Sequence, residues 1–131
     1  MNRVIHFEIQ AQDPERAAQF YREVFGWKIE KMEGVEWDYW SVITDEKEGE
    51  AGINGGLLRR PAETPAKESG TNAYVCTIGV KDFDQIAQKI KEAGGQVAMP
   101  KFALPGMAWQ GYFLDTEGNT FGIHQPDENA G

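Results

Sequence analysis

The chain has 131 residues and 14.7 kDa, with 40% apolar residues, 26% charged residues, seven Phe, four Trp and four Tyr. That composition suits one globular domain, or two small modules sharing a core, and excludes a disordered chain. A formal charge of −8 argues against binding to a phosphate backbone, which needs clustered cations.

In chain order, residues 4–10 alternate, with Ile5, Phe7 and Ile9 apolar against His6, Glu8 and Gln10, which predicts a strand. Asp13-Pro14 then supplies an N-cap oxygen and a proline at the first helical position. Ala17, Phe20, Tyr21, Val24 and Phe25 follow at helical spacing as the inward face, and Gly26 ends the helix. Strand-like runs come next at about 27–32, 37–44 and 51–58. Residues 59–71, with two prolines and many charges, read as an exposed linker. Tyr74, Cys76, Ile78 and Val80 open a second strand, and Asp82 caps a second helix with Phe83, Ile86, Ala87 and Ile90 inward. Gly94-Gly95 stop that helix, and strands follow at about 96–99, 108–114 and 120–125. The run PKFALPGMA reads as a loop, and Glu117-Gly118-Asn119 as the last turn.

The two halves repeat each other. A shift of 69 residues aligns Ile9 with Ile78, Asp13 with Asp82, Ala18 with Ala87, Gln19 with Gln88, Glu23 with Glu92 and Gly26 with Gly95. Further on it lays Trp40 on Trp109, and Glu48-Gly49 on Glu117-Gly118. The expected fold is α+β: two tandem βαβββ modules forming a curved sheet around a cavity, with helices outside. The chain is expected to be a single domain, with module one at about 3–58, the linker at 59–71 and module two at 72–125.

The strand carrying His6, the helix DPERAAQFYREVFGW and the ending DTEGNTFGIHQPD resemble the vicinal oxygen chelate superfamily of glyoxalase I, bleomycin-resistance proteins and extradiol dioxygenases. The resemblance spans residues 3–125. It implies a divalent metal held by one residue from the first and last strand of each module, an open Lewis-acid site. Only the first such position has a donor here, His6. The third falls on Val75, the fourth on Gly122, and the second within 53–56, where Asn54 alone could donate. No cofactor is therefore expected, with a divalent metal kept as a weaker alternative.

Strand parity places His6, Glu8, Gln10, Val75, Thr77, Gly122 and His124 on the face away from the helices, and Cys76 behind the sheet. A relocated metal site of His6, Glu8 and His124 is one reading; histidines serving as hydrogen-bonded wall residues is the favoured one. Tyr39, Trp40, Trp109, Tyr112, Phe113, Phe102 and Met107 could wall a cavity for a small organic molecule or simply fill the core. The ligand-binding candidates are His6, Glu8, Asn54, Trp40, Trp109 and His124, with no catalytic residue assigned. Glu46, Glu48 and Glu50 read as a solvated loop, and no phosphate loop, dinucleotide fingerprint or serine elbow is present.

The expected function is small-molecule binding without the usual four-ligand metal. The alternative is a lyase, isomerase or dioxygenase of the same superfamily using a degenerate or relocated metal site, or metal-free acid–base chemistry. The single cysteine excludes internal disulfides and fits a reducing cytosol. No stretch approaches the roughly 18 apolar residues of a membrane span, and the start lacks a signal peptide's apolar run. A cytoplasmic homodimer with no nucleic-acid or membrane partner is expected.

Overall fold

The computed structural model describes residues 1–69 and 74–131. Its elements run β1 (Arg3–Ala11), α1 (Pro14–Phe25), β2 (Lys28–Lys31), β3 (Tyr39–Ile43), β4 (Gly55–Arg59), β5 (Val75–Gly79), α2 (Phe83–Glu92), β6 (Gln96–Leu104), β7 (Ala108–Leu114) and β8 (Thr120–Pro126). This is the predicted βαβββ order, twice. The end of the predicted linker and the start of the second module, residues 70–73, lie outside the described residues. No helix among the described residues is long and apolar enough to cross a membrane.

The chain forms two compact units. One is His6–Tyr74; the other is Val75–Gly131 together with Met1–Ile5. The first residues thus belong with the second module: the Asn2 N–H donates to the Gly79 carbonyl at 2.7 Å. Tyr74 belongs to the first, stacking on Phe7 with ring centroids 5.7 Å apart. The start of the predicted linker is not free chain either. Arg59 completes β4, the Arg60 N–H donates to Ala11 at 2.9 Å, and Thr64 is held by Gln12.

In the first unit β1 runs parallel to β4, β4 antiparallel to β3, and β3 antiparallel to β2. In the second, β5 runs parallel to β8, β8 antiparallel to β7, and β7 antiparallel to β6. The strands of each unit bury one face against that unit's helix. Phe7, Ile9, Ile29, Trp40, Val42 and Leu57 pack with Ala18 of α1; Val80, Phe113 and Ile123 pack with Phe83 of α2.

Both helices begin as the sequence implies. The Asp13 carboxylate accepts the Arg16 N–H at 3.2 Å, and Asp82 accepts Gln85 N–H at 3.0 Å. Gly26 closes α1 at φ 71°, a left-handed conformation that glycine adopts without strain. The inward face of α1 is rotated from expectation. Ala17, Ala18 and Tyr21 meet the sheet, whereas Phe20, Val24 and Phe25 are exposed. The predicted loop PKFALPGMA is mostly strand, because β6 continues to Leu104 and the turn falls at 105–107. Pro100 is tolerated there because β6 pairs with β7 alone, and a register shift between Met99 and Phe102 absorbs it.

Candidate functional site

The faces away from the helices carry the polar groups, and each unit has its own set. In the first unit, His6 on β1 is half-buried, and its Nε2 shares a hydrogen bond of 2.9 Å with the Tyr39 hydroxyl on β3. Burial pushes the imidazole below its ordinary value of 6.5, and the Glu8 carboxylate restores part of that shift. Glu8 is buried at 6% exposure and lies in register with Gly56. Gly56 has no room for a side chain: a Cβ there would overlap the hydroxyl and ring of Tyr39.

In the second unit, His124 on β8 is half-buried, with Nδ1 hydrogen-bonded to the Gln110 side-chain oxygen at 2.8 Å. The Gln110 amide, 5% exposed, donates to the Thr77 hydroxyl at 3.4 Å. Gly122 sits under this network. A Cβ on it would lie 2.6 Å from Thr77 Oγ1, 2.9 Å from Gln110 Nε2 and 3.1 Å from the Tyr112 ring.

Register shows how the modules correspond. Glu8 and Thr77, which the 69-residue shift pairs, lie opposite Gly56 and Gly122 respectively. Gly56 is therefore the counterpart of Gly122, at an offset of 66 residues. Ser41 and Tyr112, opposite those glycines, are offset by 71. Trp40 and Trp109 are then not equivalent, despite their alignment at 69.

Nor do those two tryptophans wall a cavity. Trp40 lies in the helix-side core and donates its indole N–H to Glu15 of α1 at 2.7 Å. Trp109 packs with the core of the second unit and donates to Asp127 at 3.1 Å. Tyr39 in the first unit, and Tyr112 with Phe102 stacked on it at 6.4 Å between centroids in the second, lie on the opposite face. Asn54 closes a loop: its side-chain oxygen accepts from the Thr44 N–H at 2.9 Å and the Thr44 hydroxyl at 3.1 Å. Cys76 is partly buried and pairs with Phe121 on the helix side. Gln110 went unnoticed in the sequence. Its signal was alternation along β7, which puts Gln110 and Tyr112 opposite in facing to Trp109 and Phe113.

A four-ligand metal does not fit these residues. At the positions that the resemblance assigns to donors, only His6 can coordinate; Gly56, Val75 and Gly122 cannot. The space beside both glycines is already taken by neighbouring side chains. Among the described residues no three His, Cys, Asp or Glu side chains gather in a way that could hold a metal ion.

The family model of the Glyoxalase/Bleomycin resistance protein/Dioxygenase superfamily matches residues 3–123. A glyoxylase-like domain-containing protein of Didymella fabae is 32% identical over 117 residues, covering 88% of each chain. CFP32 of Mycobacterium bovis, named as a candidate glyoxylase, is 28% identical over an alignment of 131 positions that covers 95% of this chain but only 46% of that protein. Among solved structures, the Streptomyces coelicolor methylmalonyl-CoA epimerase in complex with 2-nitronate-propionyl-CoA aligns with a TM-score of 0.64. That match has 18% identity and covers 100% of this chain and 99% of the other. The Mycobacterium tuberculosis epimerase aligns at 0.61 with 14% identity over 95% and 87% of the two chains. At those identities the structural likeness speaks for the fold.

Proposed function

The chain belongs to the Glyoxalase/Bleomycin resistance protein/Dioxygenase superfamily, and we propose that it binds a small organic molecule without the four-ligand metal of that superfamily's enzymes. One observation carries this reading. The ladder positions Gly56 and Gly122 lack donors, and the Tyr39 hydroxyl and the Thr77–Gln110 pair fill the space a donor side chain would need. What remains on these faces is a few hydrogen-bonding groups and aromatic rings, the makeup of a site for an organic ligand. The S. coelicolor neighbour holds an acyl-CoA analogue on the same fold. The test is elemental analysis of purified protein beside a thermal-shift screen of small organic compounds. Substoichiometric metal is expected, with ligand stabilisation weakened in His6→Ala or in His124→Ala. One divalent ion per chain, lost in His6→Ala, would refute the reading.

A second reading is favoured by the His6–Tyr39 pair: metal-free acid–base chemistry. A depressed imidazole pKa leaves His6 neutral at physiological pH, able to accept a proton, with the Tyr39 hydroxyl orienting it. A turnover lost in His6→Ala and reduced in Tyr39→Phe would favour the enzyme over the binder. The same proposal takes the protein as a cytosolic homodimer that avoids nucleic acid and membranes; its charge of −8 supports the avoidance of nucleic acid, and its single cysteine the reducing compartment. Light scattering that reports a monomer would refute the dimer.

A further inference from the structure

A cavity in the first unit lies at the helix side where β1 leads into α1. It is open to solvent, has a volume of about 410 Å³, and is lined by Gln10–Asp13, by Arg16, Ala17 and Phe20 of α1, and by Arg60 and Thr64. The site already described, around His6 and Tyr39, does not include these residues.

This lining is cationic on an acidic chain. It carries two guanidiniums, Arg16 and Arg60, and neither forms an ion pair with a carboxylate among the described residues. The one carboxylate in the wall, Asp13, is engaged in capping α1 through the Arg16 N–H. Arg60 is held in place by an Nη donating to the Gln10 carbonyl at 3.0 Å. Its Nε is buried with no hydrogen-bond partner, an unmet donor of a kind folded proteins rarely keep.

The walls are prepared rather than accidental. Gln12 accepts from both the N–H and the hydroxyl of Thr64, at 3.1 and 2.9 Å, which ties residues 60–64 to the β1–α1 connection. Arg59 adds a bond to the Gln12 carbonyl at 3.1 Å. On the other side Phe20, 54% exposed, offers an aromatic surface beside the two guanidiniums.

We propose that this cavity is a binding site for a small organic oxyanion, a carboxylate or phosphate ester, held between Arg16 and Arg60 with its apolar body against Phe20. Guanidinium N–H groups of the two arginines on the cavity wall supply donors that match the two oxygens of such a group. The field at the N-terminus of α1 adds to the attraction.

The probes are benzoate, phenyl phosphate and inorganic phosphate, titrated into the whole chain and followed by the arginine Nε–H resonances in ¹H–¹⁵N spectra. Saturable shifts at both Arg16 and Arg60 are expected, with benzoate or phenyl phosphate binding more tightly than inorganic phosphate and all three weakened by salt. Arg16→Gln, at the exposed rim, should weaken binding at least about tenfold while the protein stays folded. Phe20→Ser should weaken the aromatic probes and leave inorganic phosphate unchanged. Saturation by none of the probes, or equal binding in Arg16→Gln, would overturn the site. Inorganic phosphate binding as tightly as the aromatic anions would overturn the organic ligand class.

Discussion

Replacing Gly56 with Ala tests whether the Tyr39 hydroxyl occupies the space beside that residue. Gly56 is not among the glycines at positive φ, so alanine meets no backbone penalty, and a glycine-to-alanine change there would otherwise stabilise by about 0.4–1 kcal/mol. The new Cβ overlaps the Tyr39 hydroxyl and ring, so Tyr39 must move and its 2.9 Å bond to His6 must break. Overpacking costs about 1–3 kcal/mol, and the lost hydrogen bond about 0.5–1.5 kcal/mol. The net expectation for Gly56→Ala is a loss of about 1–3 kcal/mol. Tyr39→Ala alone is destabilising through the lost ring contacts and the same hydrogen bond. In the double variant the obstacle is gone, so its cost should approach that of Tyr39→Ala, leaving a coupling of about 1–3 kcal/mol. Urea unfolding of the four proteins, with comparable m-values, measures it. Additivity within about 0.5 kcal/mol would refute the steric account.

Asp13→Ala and Asp82→Ala each remove a carboxylate that accepts a helix N–H, and each should cost about 0.5–2 kcal/mol in chemical denaturation. Phe113→Ala, at 2% exposure in the second core, should cost about 3–5 kcal/mol, enough to separate it from any surface change in a thermal melt. Because burial holds His6 below 6.5, the unfolded chain takes up the proton first; the stability tied to the neutral imidazole is full above about pH 6.5 and is lost as pH falls through the folded value. His6→Gln should flatten that segment of the stability curve, and an unchanged slope would refute the burial-lowered pKa.

The fold was legible because its signals are local. Asp13 and Asp82 as caps, Gly26 as a stop and the alternation of β1 each follow from a few neighbouring residues, and the structure repeats them in place. Where longer-range packing decides, the sequence misled. Phe20, Val24 and Phe25 sit at helical spacing with Ala17 and Tyr21, but the sheet approaches the side of Ala18, and periodicity alone does not say which arc of a wide apolar face is covered. Pro100 suggested a loop because a proline usually ends a central strand; on β6, which pairs with β7 alone, that objection disappears.

The site was only half legible for a related reason. The facing of His6, Glu8 and His124 follows from parity, which needs no partner strand. What each side chain touches depends on register, and register between the two copies is not constant: 69 residues at β1 and β5, 71 at β3 and β7, and 66 at β4 and β8. A single fixed shift therefore aligned Trp40 with Trp109, which are not equivalent, and passed over Gly56 and Gly122, which are. Once those glycines are matched, the two modules show one solution reached with different side chains. In each, a strand position without a side chain leaves space that a polar group from the neighbouring strand fills, Tyr39 in the first and Gln110 in the second, and that group hydrogen-bonds the module's only histidine. Under the proposed binding role, each unit would offer its own histidine, tied to a hydroxyl or an amide, to a ligand's polar atoms, with His6 supplying a neutral imidazole at physiological pH.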